Sequence, residues 1–336
     1  MYNINYNKEE EFLSKLIFQN KIISKDYFKS INFEKLTKIS SRYLVLPLLF
    51  KKIKAKNYKS LIPKKFYSFL KEIYEINERR NLELVKEIEK HANLLNNAKI
   101  NYVFLKGSAL LIHENYKNLE RMVGDIDILI SQEDFSRAIK LFKKEGFNEI
   151  NSYNFFQKHY PRMNSNKYIF AIEIHNKLTL KKLKKIDENE FLKSKIKNLN
   201  TYIPTKKNML KHIVYNDQIN DNGYILNGYN LKAYYDYFSL NGSKIKKNDN
   251  DRYHLNFFFL MKAFTKLEIF TNSGKMKRLR LYLINNYKFF YNLNYFYFKI
   301  HSTTKFKIMQ INEICRNKKY RKYCRNKFLE IINLQN

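Results

Sequence analysis

The sequence has no tryptophan and few of the residues that break or cross-link a chain. It contains 7 glycines, 4 prolines and 2 cysteines among 336 residues. So few glycines and prolines disfavour a turn-rich all-β fold and favour helices. The two cysteines, Cys315 and Cys324, are too few for a disulfide framework and have no histidine at metal-ligand spacing. A reducing, cytoplasmic compartment is therefore expected.

Long apolar runs are also missing. The longest, Tyr43–Phe50 and Phe257–Met261, fall well short of the ~20 residues that a membrane-spanning helix needs. The N-terminal residues carry Glu9, Glu10 and Glu11 and no apolar segment of the kind found in signal peptides. We therefore expect neither a transmembrane segment nor a signal peptide.

Acidic residues are scarce relative to basic ones. Lysine and arginine number 64 against 31 aspartates and glutamates, a formal net charge of +33. Such a surplus attracts nucleic acid, nucleotides or anionic membranes. The chain is also rich in Lys, Asn, Ile and Tyr, as expected from an A/T-rich genome. Binding to RNA and codon bias therefore both remain open as explanations of the charge.

Hydrophobic spacing divides the chain into three parts. Residues 1–98 predict helices, including a long amphipathic one over Asn77–Ala98 that follows Pro63. Residues 99–180 alternate short strands and helices and predict an α/β core. Residues 181–336 again predict helices, rich in basic and aromatic residues, with a polar linker at Asn241–Asp251. The predicted fold class is α+β, with a small mixed sheet flanked by N-terminal and C-terminal helical regions.

Within the core, a turn is predicted at Gly107-Ser108. A helix capped by Ser131, with Asp134 three residues later, is predicted to end at Gly146. The other strands and helices follow from periods of two and 3.6 residues. Strands are predicted over Tyr102–Leu105, Asp125–Ile130, Asn154–Tyr160 and Tyr168–Leu178, the last two as an antiparallel pair, and helices over Ala109–Tyr116, Phe257–Phe270 and Met276–Tyr297.

Two carboxylates share one face of the predicted strand in Gly124-Asp125-Ile126-Asp127. Carboxylates held side by side repel each other, and a divalent cation between them relieves the repulsion. Oxygen ligands favour Mg²⁺ or Mn²⁺ over zinc. A later strand places Glu173 and His175 on one face and can lie beside the first. The sequence therefore predicts a metal site built from Asp125, Asp127 and Glu173.

A phosphate site is predicted upstream, at Lys106-Gly107-Ser108. Backbone N–H groups at the N-terminus of a helix hold phosphate well, and the Ser108 hydroxyl adds a donor. Lys106 and Arg121 are candidates for binding a triphosphate. His175 is a candidate either for orienting Glu173 or for contacting a nucleotide, and His159 is a weaker candidate that reaches the site through its hairpin.

The ordered set of motifs resembles the nucleotidyltransferase superfamily related to DNA polymerase beta. More narrowly, it is similar to the family of bacterial uncharacterised nucleotidyltransferases. The resemblance covers about residues 1–240 and includes the Leu231–Leu240 segment with Asp236. The motifs that carry it are Leu105-Lys106-Gly107, Arg121, Gly124-Asp125-Ile126-Asp127 and Glu173-Ile174-His175.

The resemblance implies an enzyme that moves a nucleoside monophosphate from an NTP to an acceptor hydroxyl and releases pyrophosphate, with Mg²⁺ or Mn²⁺ as cofactor. It implies Asp125, Asp127 and Glu173 as catalytic metal ligands. It implies nucleotide-binding roles for Lys106, Gly107, Ser108, Arg121, Gly124 and His175.

The acceptor stays open between an RNA or tRNA end, a protein side chain and a small molecule. One alternative is a non-catalytic module that keeps this fold to bind RNA or another partner. Another is peripheral membrane association through the basic, aromatic C-terminal region. On the bland interpretation, Lys106 and Arg121 are ordinary surface residues, and Arg121 pairs with Glu120 or with Glu114.

Overall fold

Helices form the N-terminal part of the chain, as their caps and apolar spacing predict. The computed structural model describes residues 7–19, 21–113, 119–150, 159–180, 183, 185–241 and 251–266, with scattered positions between 283 and 325. The first helices begin at asparagine or serine caps that accept hydrogen bonds from the first turn. The N-terminal helices are α1 (Lys8–Phe18), α2 (Lys25–Lys29), α3 (Phe33–Arg42), α4 (Leu46–Ala55) and α5 (Lys64–Asn97).

Helix α5 is longer than the sequence predicted. It starts directly after Pro63 and spans 34 residues. Its first half, with Leu70, packs in a core shared with α1–α4 and with helices from residues 206–265. Its second half, with Leu84 and Ile88, packs against the sheet. The division of the chain at residues 98 and 180 stays a prediction, and both of these cores combine residues from more than one of its parts.

A five-stranded mixed sheet forms the centre, which confirms the α+β class. Its order is β1-β2-β5-β4-β3, with β2 and β5 parallel and the other neighbours antiparallel. The strands are β1 (Tyr102–Phe104), β2 (Ile126–Ile130), β3 (Asn148–Glu149), β4 (Met163–Asn164) and β5 (Ile172–His175). The helices between them are α6 (Lys106–His113) and α7 (Phe135–Lys144).

Several predicted boundaries in the core were wrong. Gly107 and Ser108 lie in the first turn of α6 and do not form a separate turn, because Lys106 already adopts the left-handed conformation that redirects the chain. Helix α7 starts only at Phe135: Ser131 Oγ does accept a hydrogen bond from the Asp134 N–H, but residues 132–134 form turns ahead of the helix. Its predicted end is confirmed, with Gly146 at φ +89°.

The predicted antiparallel pair is confirmed in part. His159 bridges His175 in antiparallel sense, while residues 151–158 lie outside the described part of the chain. The segment predicted to join the strands itself pairs with β5, at Met163 opposite Ile172. Strand β5 is also shorter than predicted.

Residues 181–266 contain more than the predicted helices. A hairpin of β6 (Ile196–Asn198) and β7 (Thr201–Ile203) was missed, because each strand is only three residues long. The helices are α8 (Glu188–Lys193), α9 (Lys206–Tyr215), α10 (Gly223–Leu226), α11 (Leu231–Asn241) and α12 (Arg252–Thr265), with a π-helical turn at Asn216–Asn220.

Asp251 caps α12, so this helix begins and ends earlier than the predicted Phe257–Phe270. The predicted linker interior and most of the predicted helix Met276–Tyr297 lie outside the described residues. Within the described part of the chain, no helix is both long and apolar enough to cross a membrane.

Candidate active site

The carboxylates of the two central parallel strands lie side by side. Asp127 on β2 is in register with Glu173 on β5. Residues paired in this way project from the same face of a sheet. Asp125 lies two residues before Asp127, immediately ahead of β2, and therefore belongs to the same side. The prediction that the strand of Glu173 lies beside the Asp-x-Asp strand is confirmed.

His175 completes the cluster on this face. One ligand atom each from Asp127, Glu173 and His175 lies within 4.8 Å of the others. His175 Nε2 is 2.8 Å from Asp127 Oδ1 and 3.6 Å from Glu173 Oε2. Nε2 must carry the proton in order to donate to Asp127. His175 thereby orients the carboxylate of Asp127, whereas the sequence suggested that it orients Glu173 or contacts a nucleotide.

Lys106 enters the cluster from the start of α6. Its Nζ is 2.5 Å from Asp127 Oδ1 and 3.8 Å from Glu173 Oε2. Its backbone has φ +49°, a left-handed conformation that costs a non-glycine residue ~1 kcal/mol or more. This conformation starts α6 and brings the ammonium between two carboxylates. The Lys106 ammonium therefore reduces the repulsion between Asp127 and Glu173.

The three carboxyl groups differ in how readily they ionise. Burial, together with repulsion from Asp127 and Glu173, raises the pKa of Asp125 to about 6. Burial also opposes ionisation of Asp127, but Lys106 and His175 outweigh it and hold its pKa below the ordinary value. Burial also opposes ionisation of Glu173, but His175, Lys106 and His159 together lower its pKa below the ordinary value. One ammonium does not neutralise all three carboxylates, so the cluster can accept further positive charge.

Arg121 is held by a carboxylate on helix α11. Its Nε and Nη2 donate to Asp236 Oδ1 and Oδ2 at 2.7 and 2.8 Å. Both side chains are less than one-tenth exposed. Among the described residues, its remaining nitrogen, Nη1, has only a 3.4 Å contact with the carbonyl of Met122. The pairing with Glu120 that the bland interpretation allowed does not occur, since Glu120 binds Lys51.

Gly107 allows Arg121 to approach α6. A Cβ on Gly107 would overlap the Arg121 guanidinium and would lie 2.7 Å from Val123 Cγ1. Ser108 is fully buried, and within the described residues its hydroxyl has no hydrogen-bond partner. Gly124 is exposed, directly before Asp125. Nucleotide binding by these three residues stays a prediction.

Sequence reasoning missed two arginines near the carboxylates and ranked one histidine low. Arg80 on α5 donates to the carbonyls of Val123 and Gly124, so it fixes the turn that precedes Asp125. Arg162 Nη2 lies 3.9 Å from Asp125 Oδ2. His159 Nε2 lies 3.8 Å from Glu173 Oε2. Of the three, only His159 carried a signal, through its place in the predicted hairpin.

A divalent cation fits the donor chemistry of this cluster. Asp125, Asp127 and Glu173 supply carboxylate oxygens, which are the ligands that Mg²⁺ and Mn²⁺ prefer. Burial, followed by repulsion from Asp127 and Glu173, raises the pKa of Asp125, and a bound cation would relieve that repulsion. The arrangement can therefore hold a metal and, next to it, the phosphates of a nucleotide.

A mixed sheet with in-register carboxylates beside the start of a helix has the features expected of a nucleotidyltransferase core. The chain belongs to the family of uncharacterised nucleotidyltransferases, whose sequence model matches residues 29–253. The match includes the whole carboxylate cluster as well as Arg121 and Asp236. Searches of curated proteins and of solved structures each gave no significant match.

Proposed function

We propose that the protein is a metal-dependent enzyme that transfers a nucleoside monophosphate from an NTP to an acceptor hydroxyl. The acceptor oxygen forms a bond to the α-phosphorus, and the bond between the α- and β-phosphates breaks. Pyrophosphate leaves with the bonding electrons. The observation that carries the proposal is the in-register pair Asp127 and Glu173, with Asp125 beside it.

Asp125, Asp127 and Glu173 would hold Mg²⁺ or Mn²⁺. When bound, such a cation lowers the pKa of the acceptor hydroxyl and neutralises charge on the phosphates. Glu173 has a lowered pKa, so it is ionised at neutral pH and can take the acceptor proton. His175 keeps Asp127 oriented through its Nε2 proton.

The groups that we propose for the nucleotide surround the start of α6. Lys106 offers an ammonium to the phosphates, and the backbone N–H groups of Gly107 and Ser108 belong to the helix N-terminus. Arg121 retains Nη1 for an anion while Asp236 holds the rest of its guanidinium. Gly124 gives access beside Asp125. Phosphoryl transfer depends mainly on such positioning and charge neutralisation.

For the acceptor we propose a class of molecule and not a particular one. The net charge of +33 favours RNA, including a tRNA end, over a protein side chain or a small molecule. A cytoplasmic location fits the two cysteines, which are both free.

The test is incubation with each of four α-³²P-labelled NTPs, Mg²⁺ or Mn²⁺, and total cellular RNA or lysate. We expect label on an acceptor with the wild type and none with Asp125→Ala/Asp127→Ala. The matched control is Asp26→Ala, which removes an exposed carboxylate of α2 that is distant in sequence from Asp125. This variant should transfer the label as the wild type does.

Absence of transfer under every condition would contradict the proposal that the protein is a nucleotidyltransferase. A thermal midpoint that NTP and metal still raise would then favour a nucleotide-binding module, because a ligand that binds only the native state stabilises it. If no nucleotide shifts the thermal midpoint, the remaining hypothesis is a non-catalytic module that binds RNA or another partner.

A further inference from the structure

A cavity of about 740 Å³ opens beside the carboxylate cluster. Its walls come from the end of α3, from α6, and from the segment between α9 and α11. Lys106 and Arg121 lie in its wall, so it reaches the catalytic end of the molecule. Small-molecule sites commonly have volumes of ~300–1,000 Å³. The cavity therefore has room for a whole nucleotide.

Four lysine and arginine side chains line this cavity, and three of them are neutralised by acids. Lys106 pairs with Asp127, Arg121 with Asp236, and Arg42 with Glu10 at 3.2 Å. The fourth is Lys232 on α11.

Among the described residues, Lys232 forms neither an ion pair nor a hydrogen bond. The charge of Arg121 and burial lower its pKa to about 8. Of the four cations that line the cavity, Lys232 is thus the one without a paired acid among the described residues.

Lys232 is placed toward the carboxylate end of the cavity. It lies one helical turn from Asp236, on the same face of α11, and Asp236 holds Arg121. Lys232 is also close enough to Asp125 and Asp127 for their charges to act on it. An anion bound to Lys232 would therefore lie near the proposed metal site.

The other wall of the cavity carries buried acidic and amide side chains. Asp217 is buried there and accepts hydrogen bonds from Asn230 Nδ2 at 2.8 Å and Gln218 Nε2 at 2.7 Å, and Asp221 lies nearby. No cation among the described residues pairs with Asp217. A ligand with phosphates at one end and hydrogen-bond donors at the other would match this polarity.

We propose that Lys232 binds the triphosphate of the nucleotide, in the cavity between α6 and α11. This inference rests on the proposed function, since it deepens the assignment of the same site. An RNA phosphodiester offers the same anionic oxygens, but each of its phosphates carries one charge, whereas a triphosphate concentrates several charges beside Lys232 and Arg121.

The test measures binding and not turnover. The dissociation constants of the full-length protein for the four NTPs, the matching NMPs, inorganic tripolyphosphate and a single-stranded RNA oligonucleotide are determined by calorimetry. Lys232→Ala should weaken NTP and tripolyphosphate binding about tenfold or more, because it removes a charge-assisted contact. NMP binding should change little, and Lys232→Arg should retain most of the affinity.

Lys207→Ala is the matched control, since Lys207 is an exposed lysine of α9 outside the cavity lining, and it should bind as the wild type does. Unchanged NTP affinity in Lys232→Ala would overturn the inference while leaving the transferase intact. A loss confined to the RNA oligonucleotide would overturn it in favour of a phosphodiester site.

Wild type that binds neither NTP nor tripolyphosphate would defeat the inference and the proposed function together. Normal NTP binding that depends on Lys232 without any transfer would defeat the catalytic proposal alone. Circular dichroism of Lys232→Ala checks the fold, and its thermal midpoint should equal or exceed that of the wild type because repulsion from Arg121 is relieved.

Discussion

Removing Asp236 should lower the free energy of unfolding more than removing its buried partner Arg121. Both side chains are less than one-tenth exposed and form two hydrogen bonds of 2.7 and 2.8 Å. Removing one partner of a buried pair costs ~3–5 kcal/mol, because an uncompensated charge stays behind. Such a loss is a large part of a typical stability of ~5–15 kcal/mol.

The difference between the two losses of stability comes from the neighbouring charge of Lys232. Asp236→Ala leaves Arg121 without its acid and beside a second cation, Lys232. Arg121→Met leaves Asp236 with Lys232 one turn away as a substitute partner. We therefore expect Asp236→Ala to lie at the upper end of the range and Arg121→Met to cost at least ~1 kcal/mol less.

Urea denaturation followed by circular dichroism measures both free energies of unfolding. The double variant Arg121→Met/Asp236→Leu should recover much of the loss, since apolar replacements of a buried pair are often neutral. Glu75→Ala, which breaks the exposed pair with Lys71, is the control, and should cost only ~0.3–0.5 kcal/mol. A cost below ~1 kcal/mol for Asp236→Ala, or a greater cost for Arg121→Met, would refute the reasoning.

Three further outcomes are expected. Gly107→Ala should lower the free energy of unfolding by ~1–3 kcal/mol through overlap with its neighbours, whereas Gly228→Ala, which has open space, should not. Burial raises the pKa of Asp217 to about 7 from 3.8, so the folded state favours its protonated form, and stability should fall as pH rises from about 4 to 7, by up to ~4 kcal/mol; a pH profile that is no flatter in Asp217→Asn would contradict this. Burial lowers the pKa of His91 to about 4 from 6.5, so stability should fall as pH drops from 6.5 to 4, by up to ~3 kcal/mol, and His91→Gln should lose that dependence in chemical denaturation.

Much of the carboxylate cluster could be predicted from local sequence because it depends on the period of a strand. Asp125 and Asp127 share a side wherever that segment is extended, and so do Glu173 and His175. The apolar residues between them lie on the opposite face and pack in one core. The pairing of the two strands then follows from hydrophobic segments that need neighbours, and the structure confirms it.

Helix ends were less predictable because a single backbone conformation moves them. The left-handed φ of Lys106 starts α6 early, and no residue type signals it. Ser131 makes the hydrogen bond of a cap, from the Asp134 N–H to its Oγ, yet turns at residues 132–134 separate it from the helix that starts at Phe135. Local patterns permit both outcomes, and the contacts that stabilise one of them are made with the rest of the fold.

Sequence alone determined the class of the protein, the strand pair and the carboxylates, because these depend on short-range spacing. Tertiary structure decided which charges are already neutralised. Arg121 meets Asp236 across 115 positions, and Lys106 meets Asp127, while Lys232 pairs with no acid among the described residues. Charge balance depends on distances between side chains far apart in the sequence and on the water excluded around them, and neither is written in a local pattern.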